Sequence, residues 1–301
     1  MNSIKTIDPL DLDQPVLHHL LLSAVAPRPI CFASTIDTEG RVNLSPFSFF
    51  NIFSSDPPIL IFSPAKGRTG HKNTFDNVKE VKEVVINIVN YPIVEQMSLS
   101  STAYAKGVNE FIKSGLTEVP SNVVQPPRVA EAPVSLECIV ENIIELGDNP
   151  GAGNLIIVKV VMIHVQKKYL DEDGKLDTKK LDLVARMGGN WYSRMTEDSL
   201  FEIPKPLGII GIGINMLPQS IRESKILTGN NLARVGSLEA MPNKEEIEHI
   251  KNHISVKNIL SKLQNEPSKI KNELVHLAQL WIEKMDSKEA LSLLLYADKM
   301  S

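Results

Sequence analysis

Between Arg28 and Thr74, hydroxyls, amides and cations fall at short intervals inside apolar runs: Ser34 and Thr35, then Asn43, Ser45 and Ser48, then Arg68, Lys72 and Thr74. A barrel packed only for stability has no need of so many polar side chains, since each buried one must find a partner. Their natural use is to hold a polar, planar, phosphorylated ligand. Arg68 and Lys72 bracket Gly70, and Thr74 follows, so a loop entering a helix would offer two cations, a hydroxyl and backbone N–H groups to one phosphate. The plainer reading makes both cations ordinary surface residues beside a turn, and spacing alone favours it. The segment 43–51 changes that balance, because a planar ring wants hydrogen bonds along its polar edge and an apolar wall along the other. Pro46 cannot donate to a central ladder, so it predicts an edge or a bulge there. Alternation along one strand would set Phe47, Phe49 and Asn51 on one face and Ser48 and Phe50 on the other.

The elements that must position these residues read as closely spaced strands. Runs rich in Val, Ile and Phe predict strands over 29–36, 42–51, 59–63, 84–89, 134–146, 155–165 and 180–186. Asp37-Thr38-Glu39-Gly40 supplies the turn of a first hairpin, and Asp171-Glu172-Asp173-Gly174 another polar turn. Regular crossover helices are missing between the strands, which disfavours a doubly wound parallel sheet and favours an antiparallel barrel. Helical inserts are expected over 69–82 and 92–101, the second opening with a proline suited to a first turn. After about Pro206 the chain reads as an irregular arm, broken by glycine and proline. Beyond the arm, Ile247, Ile250 and Ile254 suggest one amphipathic helix, and Leu274, Leu277, Ala278, Trp281 and Met285 a second. Ser287 reads as the N-cap of a third, with Ala290, Leu291, Leu294 and Leu295 on its apolar face.

Composition narrows the function classes. At 301 residues and 43% hydrophobic content the chain suits one principal domain, 1–205, with a helical extension, 206–301. A net charge of −4 makes nucleic acid a poor partner. Acids stand where a signal peptide would be apolar, and no run is long enough to span a bilayer, so a soluble, cytoplasmic protein is expected. Cys31 and Cys138 read as buried thiols in a reducing compartment. No pair among His18, His19, His71 and His164 has the spacing of a helical metal site, so no metal is expected. The GIIGIG run from Gly208 to Gly213 has the wrong spacing for a dinucleotide loop and reads as a flexible packing segment. Trp191 and Trp281 are most simply core or interface residues, although Trp191 could also line a cleft.

The order PRPI, STIDTEG, NLSPFSFFN, DPPILIFSP and GRTGHKNTFDN, with ARMGGNWY from Ala185, resembles the flavin reductase-like family over roughly residues 15–205. The resemblance implies a mainly β fold with helices, an antiparallel Greek-key split barrel that binds FMN. It also implies a homodimer with flavin at its interface and NADH or NADPH as hydride donor, the electrons passing to a small-molecule or flavin acceptor. Ser34 and Thr35 match the family's ST pair near the ribityl and phosphate groups. Asn43, Ser48 and Phe49 fall in the segment facing the isoalloxazine ring. Arg68, Lys72 and Thr74 match the phosphate positions. Arg186 and Tyr192 match the RxGGxxY segment that closes the site, with Arg186 the candidate for assisting substrate or cofactor charge.

The chain departs from the pattern in two places. Lys72-Asn73-Thr74 stands where the family often has Lys-Asp-Thr, and Gly151-Ala152-Gly153-Asn154 where it has GDH, which weakens the inference to nicotinamide. An FMN-binding electron carrier is therefore the second expectation. A non-catalytic interaction protein, with the barrel as scaffold, is the third.

Overall fold

The computed structural model describes residues 3–67, 72–204, 208–264 and 266–300. The chain divides into two compact units, Met1–Phe201 and Glu202–Ser301.

In the first unit a seven-stranded sheet contains β1 (Cys31–Ile36), β2 (Val42–Phe47), β3 (Phe50–Ser55), β4 (Pro58–Phe62), β5 (Glu83–Ile88), β6 (Val134–Glu145) and β7 (Asn154–Val165). Their spatial order is β2-β1-β5-β6-β7-β4-β3, and every pairing is antiparallel. The β1–β2 hairpin turns at Gly40, whose φ of +77° is the left-handed region glycine enters without strain.

The expected single strand over 42–51 is two strands, and the reason is topological. β2 and β3 are the opposite edges of the sheet, yet only Ser48 and Phe49 separate them in sequence. Three residue steps reach at most about 11 Å, so the edges must approach each other at this point. No ladder joins them, and the sheet curls into a barrel left split along that seam. The expected alternation fails with the strand. Phe47 is buried in the barrel and Phe50 packs against the same cluster, while Phe49 between them is 40% exposed. Pro46 lies on the edge strand β2, where a missing N–H costs nothing. Nearby on that edge the Leu44 N–H donates to Glu110 Oε2 at 2.9 Å, so a buried carboxylate blunts a strand end open to further pairing. Burial pushes the Glu110 carboxyl pKa up.

Other elements differ from expectation in detail. The strand over 29–36 divides, Arg28–Pro29 leaving the main sheet to pair with Val184–Arg186. The strand over 180–186 keeps only Val184–Arg186, because Asp177 Oδ1 accepts from the Lys179 N–H at 2.9 Å and starts the short helix Thr178–Leu181 instead. The helix over 69–82 is Asn73–Glu80, with 68–71 outside the described residues. That over 92–101 is a 3-10 turn, Tyr91–Ile93, running into Val94–Ser100.

Two apolar layers result from strand alternation. Inside the barrel, Cys31, Ala33, Phe62, Ile86, Cys138 and Ile156 meet Phe75 and Val78 of the Asn73–Glu80 helix. Outside, Phe32, Leu44 and Val129 pack with Ile93, Met97 and Phe111. Both cysteines are free and buried, and desolvation raises both thiols, Cys138 to about 12.

The second unit builds its own apolar core from Leu217, Val235, Leu274, Trp281, Leu291 and Leu294. Its irregular arm holds an unexpected helix, Gly229–Gly236, started by a reciprocal capping box between Thr228 and Asn231. The GIIGIG run pairs with that helix end through Ile212 N–H to Leu238 O and Gly213 N–H to Gly236 O. A Cβ on Gly211 would meet the Gly236 carbonyl oxygen at 2.7 Å, which accounts for a glycine there. The helix expected through Ile247, Ile250 and Ile254 breaks at His253, whose ψ of 135° is extended, and Ile254 is exposed on a new helix, Ile254–Lys262. Met285 lies past the end of Pro267–Glu283 at φ +74°, and Asp286 rather than Ser287 occupies the N-cap of Ser287–Asp298. Trp281 is buried, as expected of a core residue.

Candidate functional site

Residues distant in sequence meet where the Asn73–Glu80 helix enters the barrel. Thr35 of β1 and Asn43 of β2 are direct partners in the ladder, so their side chains share a face. Asn43 Nδ2 donates to Thr74 Oγ1 at 2.9 Å and to Thr35 Oγ1 at 3.4 Å, and Asn77 Nδ2 donates to Thr35 Oγ1 at 3.1 Å. All four residues are buried. Thr35, Asn43 and Thr74 are thus brought together as a closed network that pins the helix N-terminus to two strands. Asn77 completes it and was missed in the sequence, although Thr74, Asn77 and Val78 stand at i, i+3 and i+4 on one helix face. Replacing Thr35 by valine is expected to cost about 2 kcal/mol, because two buried amide groups lose their acceptor, and thermal denaturation should show it as a Tm several degrees lower.

Lys72 sits just before this helix. The residue is exposed, its ammonium stands over the Phe47 ring at 5.0 Å from the centroid, and no described carboxylate pairs with it. Partial desolvation lowers its pKa. Ser48 is half-buried and Phe49 follows on the seam, where the Phe49 carbonyl accepts the Ser63 N–H at 2.8 Å. Ser63 Oγ in turn accepts the Asn154 N–H at 3.1 Å, and the Asn154 side chain donates to the Pro64 carbonyl at 2.9 Å. Around the seam stand the Lys72 cation over Phe47, the exposed Phe49 ring and the Ser63–Asn154–Pro64 hydrogen bonds. Arg68 lies outside the described residues. Ser34 faces away from Thr35 by strand alternation, and its fully buried hydroxyl finds no partner among the described residues.

Arg186 and Tyr192 pair across a hairpin, Val184–Arg186 with Tyr192–Arg194, and the guanidinium lies over the tyrosine ring at 4.5 Å. Arg28, opposite Arg186 in the ladder and 7% exposed, fixes this hairpin. Its guanidinium donates to the Leu22 and Val25 carbonyls, both at 2.5 Å, at the end of the Gln14–Ala24 helix, and to the Met187 carbonyl at 2.9 Å. Sequence reasoning did not single out Arg28, though an arginine between two prolines was the available signal. Trp191 on the same hairpin is 78% exposed and is no core residue. No described contact joins Arg186 or Tyr192 to Lys72.

Comparison with known proteins settles the family. The flavin reductase-like domain is matched over residues 23–180. This chain belongs to the flavin reductase-like family. An uncharacterized protein of Halalkalibacterium halodurans is 37% identical over 203 residues, covering 66% of this chain and 96% of the relative. Among solved structures, nitrilotriacetate monooxygenase component B from Bacillus cereus is similar at 28% identity and a TM-score of 0.64, covering 67% of this chain and 100% of that one. The 2-nitrobenzoate 2-nitroreductase NbaA of Pseudomonas fluorescens is similar at 25% identity and a TM-score of 0.60, covering 72% and 100%. The flavin reductase-like match ends at residue 180, so the unit Glu202–Ser301 lies outside it.

Among the described residues no helix is long and apolar enough to cross a membrane.

Proposed function

We propose that this chain binds FMN and works as an oxidoreductase, taking hydride from NADH or NADPH and delivering electrons to a small-molecule or flavin acceptor. The observation that carries the reading is the Lys72 ammonium, held over Phe47 without a described carboxylate partner in a chain of the flavin reductase-like family. Bound FMN would supply the hydride-accepting N5 and the redox couple. The chain's own part is binding and orientation. Lys72 anchors the phosphate dianion by a charge-assisted hydrogen bond, with Arg68 assigned to the same end. Ser48 and Phe49 offer a hydroxyl and an apolar wall to the ring. Thr35, Asn43 and Thr74, being bonded to one another, act from behind by fixing the helix that carries Lys72. Arg186, stacked on Tyr192, is the candidate for meeting substrate or cofactor charge.

A register shift between Ile52 and Ser54 turns both Ile52 and Phe53 outward on edge strand β3, 62% and 64% exposed. We assign this apolar edge to a homodimer contact, which sedimentation would reveal as a particle of twice the chain's mass. Free, buried cysteines fit a reducing cytoplasm.

One observation favours the electron-carrier reading. The stretch 151–154, which stands where the family has GDH, offers no histidine, and Asn154 is buried with its side-chain N–H donated to the Pro64 carbonyl, which weakens direct use of a nicotinamide. The deciding experiment is the visible spectrum of the purified protein, supplied with FMN and kept anaerobic, before and after NADH and then NADPH. Bleaching of the flavin band supports the reductase and names its donor. Bound flavin that stays oxidised favours the carrier, and absence of bound flavin overturns both in favour of an interaction protein.

A further inference from the structure

Strand alternation places a second polar site on the face of the sheet opposite the barrel interior. In β6, Leu136 and Cys138 face the inner cluster, so Ser135 and Glu137 point outward. His164 of β7 is the ladder partner of Ser135 and shares that outer face. Its Nε2 lies 2.6 Å from Glu137 Oε1. The carboxylate is fully buried and also accepts the N–H groups of Asn122 and Val123 at 2.7 Å and of Val124 at 3.2 Å. A carboxylate so surrounded stays ionised and keeps a proton on the Nε2 that faces it, which leaves Nδ1 for another partner.

The His164 side chain is 21% exposed and opens into a cavity of about 430 Å³, a size that admits a small organic molecule. Arg128 lines the same cavity. Its guanidinium donates to the Pro120 carbonyl at 3.0 Å and 3.3 Å, and no described carboxylate neutralises it. Ser135 adds a hydroxyl to the lining, and Gln166 closes one wall by binding the Ala130 and Ala132 carbonyls, both at 2.8 Å. Glu137 is shielded behind His164 and spends both oxygens on internal donors. The surface offered to a ligand is therefore cationic.

We propose that this cavity is a binding site for a small oxyanion, a carboxylate or a phosphate, gripped between Arg128 and His164 and separate from the site at Lys72. Arg128 supplies a permanent charge with forked N–H donors, and Nδ1 of His164, whose Nε2 is held by Glu137, is the second contact. The site stands on its own geometry and does not depend on the flavin reading.

Isothermal titration of the full chain with inorganic phosphate, and separately with succinate, tests the assignment and shows which oxyanion is preferred. Arg128→Gln removes the permanent cation and His164→Gln the imidazole, and the second still offers an N–H to Glu137. Each is expected to weaken binding of the preferred anion tenfold or more with Tm little changed. Lys72→Ala should leave that binding intact. Binding that survives both glutamine variants, binding lost only in Lys72→Ala, or no binding of either anion would overturn the proposal.

Discussion

Replacing Lys72 by alanine should weaken FMN binding about ten- to a hundredfold, the equivalent of one hydrogen bond to a charged group. The effect is expected to sit at the upper end, because the ammonium stands over the Phe47 ring where water screens it less than on an open surface. Two further variants separate the phosphate contact from general electrostatics. Lys72→Arg keeps the charge and should recover much of the affinity. Lys79→Ala removes a cation already paired with Glu145 at 3.0 Å and should leave affinity unchanged. Fluorescence titration of FMN against the three proteins gives the numbers, and an unaltered dissociation constant for Lys72→Ala would reject this residue as the phosphate anchor. The pH dependence has a defined sign. Desolvation lowers the Lys72 pKa, so its charge is lost earlier on the alkaline side than that of an ordinary lysine. Affinity should be full below that value and fall as pH rises through it.

The largest loss of stability is expected from Glu137→Gln. Glu137 accepts from three backbone N–H groups and from His164 while wholly buried. A carboxylate can accept at both oxygens, but a glutamine amide must aim an NH2 group at one set of these donors. The resulting donor–donor conflict should cost about 3 kcal/mol and lower the Tm of the barrel unit by roughly 6–12 °C. The wild-type protein also carries an acid-side signature. Burial alone would raise the Glu137 carboxyl pKa, but the N–H groups of Asn122, Val123 and Val124 and the His164 hydrogen bond together hold it below the ordinary value. The unfolded glutamate then binds its proton more readily than the folded one. Stability from this group is fully present above the unfolded pKa and drains away as pH falls through the lower folded value. Urea unfolding of wild type and variant at neutral pH and in acid should show the difference between them narrowing in acid.

Strand existence was legible in the sequence and strand interruption was not. The run expected over 59–63 is Pro58–Phe62, and that over 84–89 is Glu83–Ile88, because a short apolar run bounded by turn residues has few other ways to be buried. The seam at Ser48 and Phe49 escaped notice because SPFSFF reads as one continuous strand, and nothing local says that its halves belong to opposite edges of a sheet. Closure is a global constraint. The Gly229–Gly236 helix was hidden by its own glycine and asparagine content, although Thr228 and Asn231 form the cap that announces it.

The candidate site divides along the same line. Lys72, Ser48 and Phe49 could be proposed from residue type and order. That Thr35, Asn43 and Thr74 would bond to one another, with Asn77 as fourth member, depended on contacts across 31 and 42 positions of chain, which spacing does not encode. Arg28 shows the reverse. Its sequence position is conspicuous, but its role reaches 159 residues away to Met187.

The two separate cores impose an order on events during synthesis. The last strand segment of the first unit, Tyr192–Arg194, is made before any residue of the helical core that begins at Leu217. At typical translation rates the remaining hundred or so residues take about 5–20 s to appear. The barrel thus has seconds on the ribosome to close its seam before the helical unit exists.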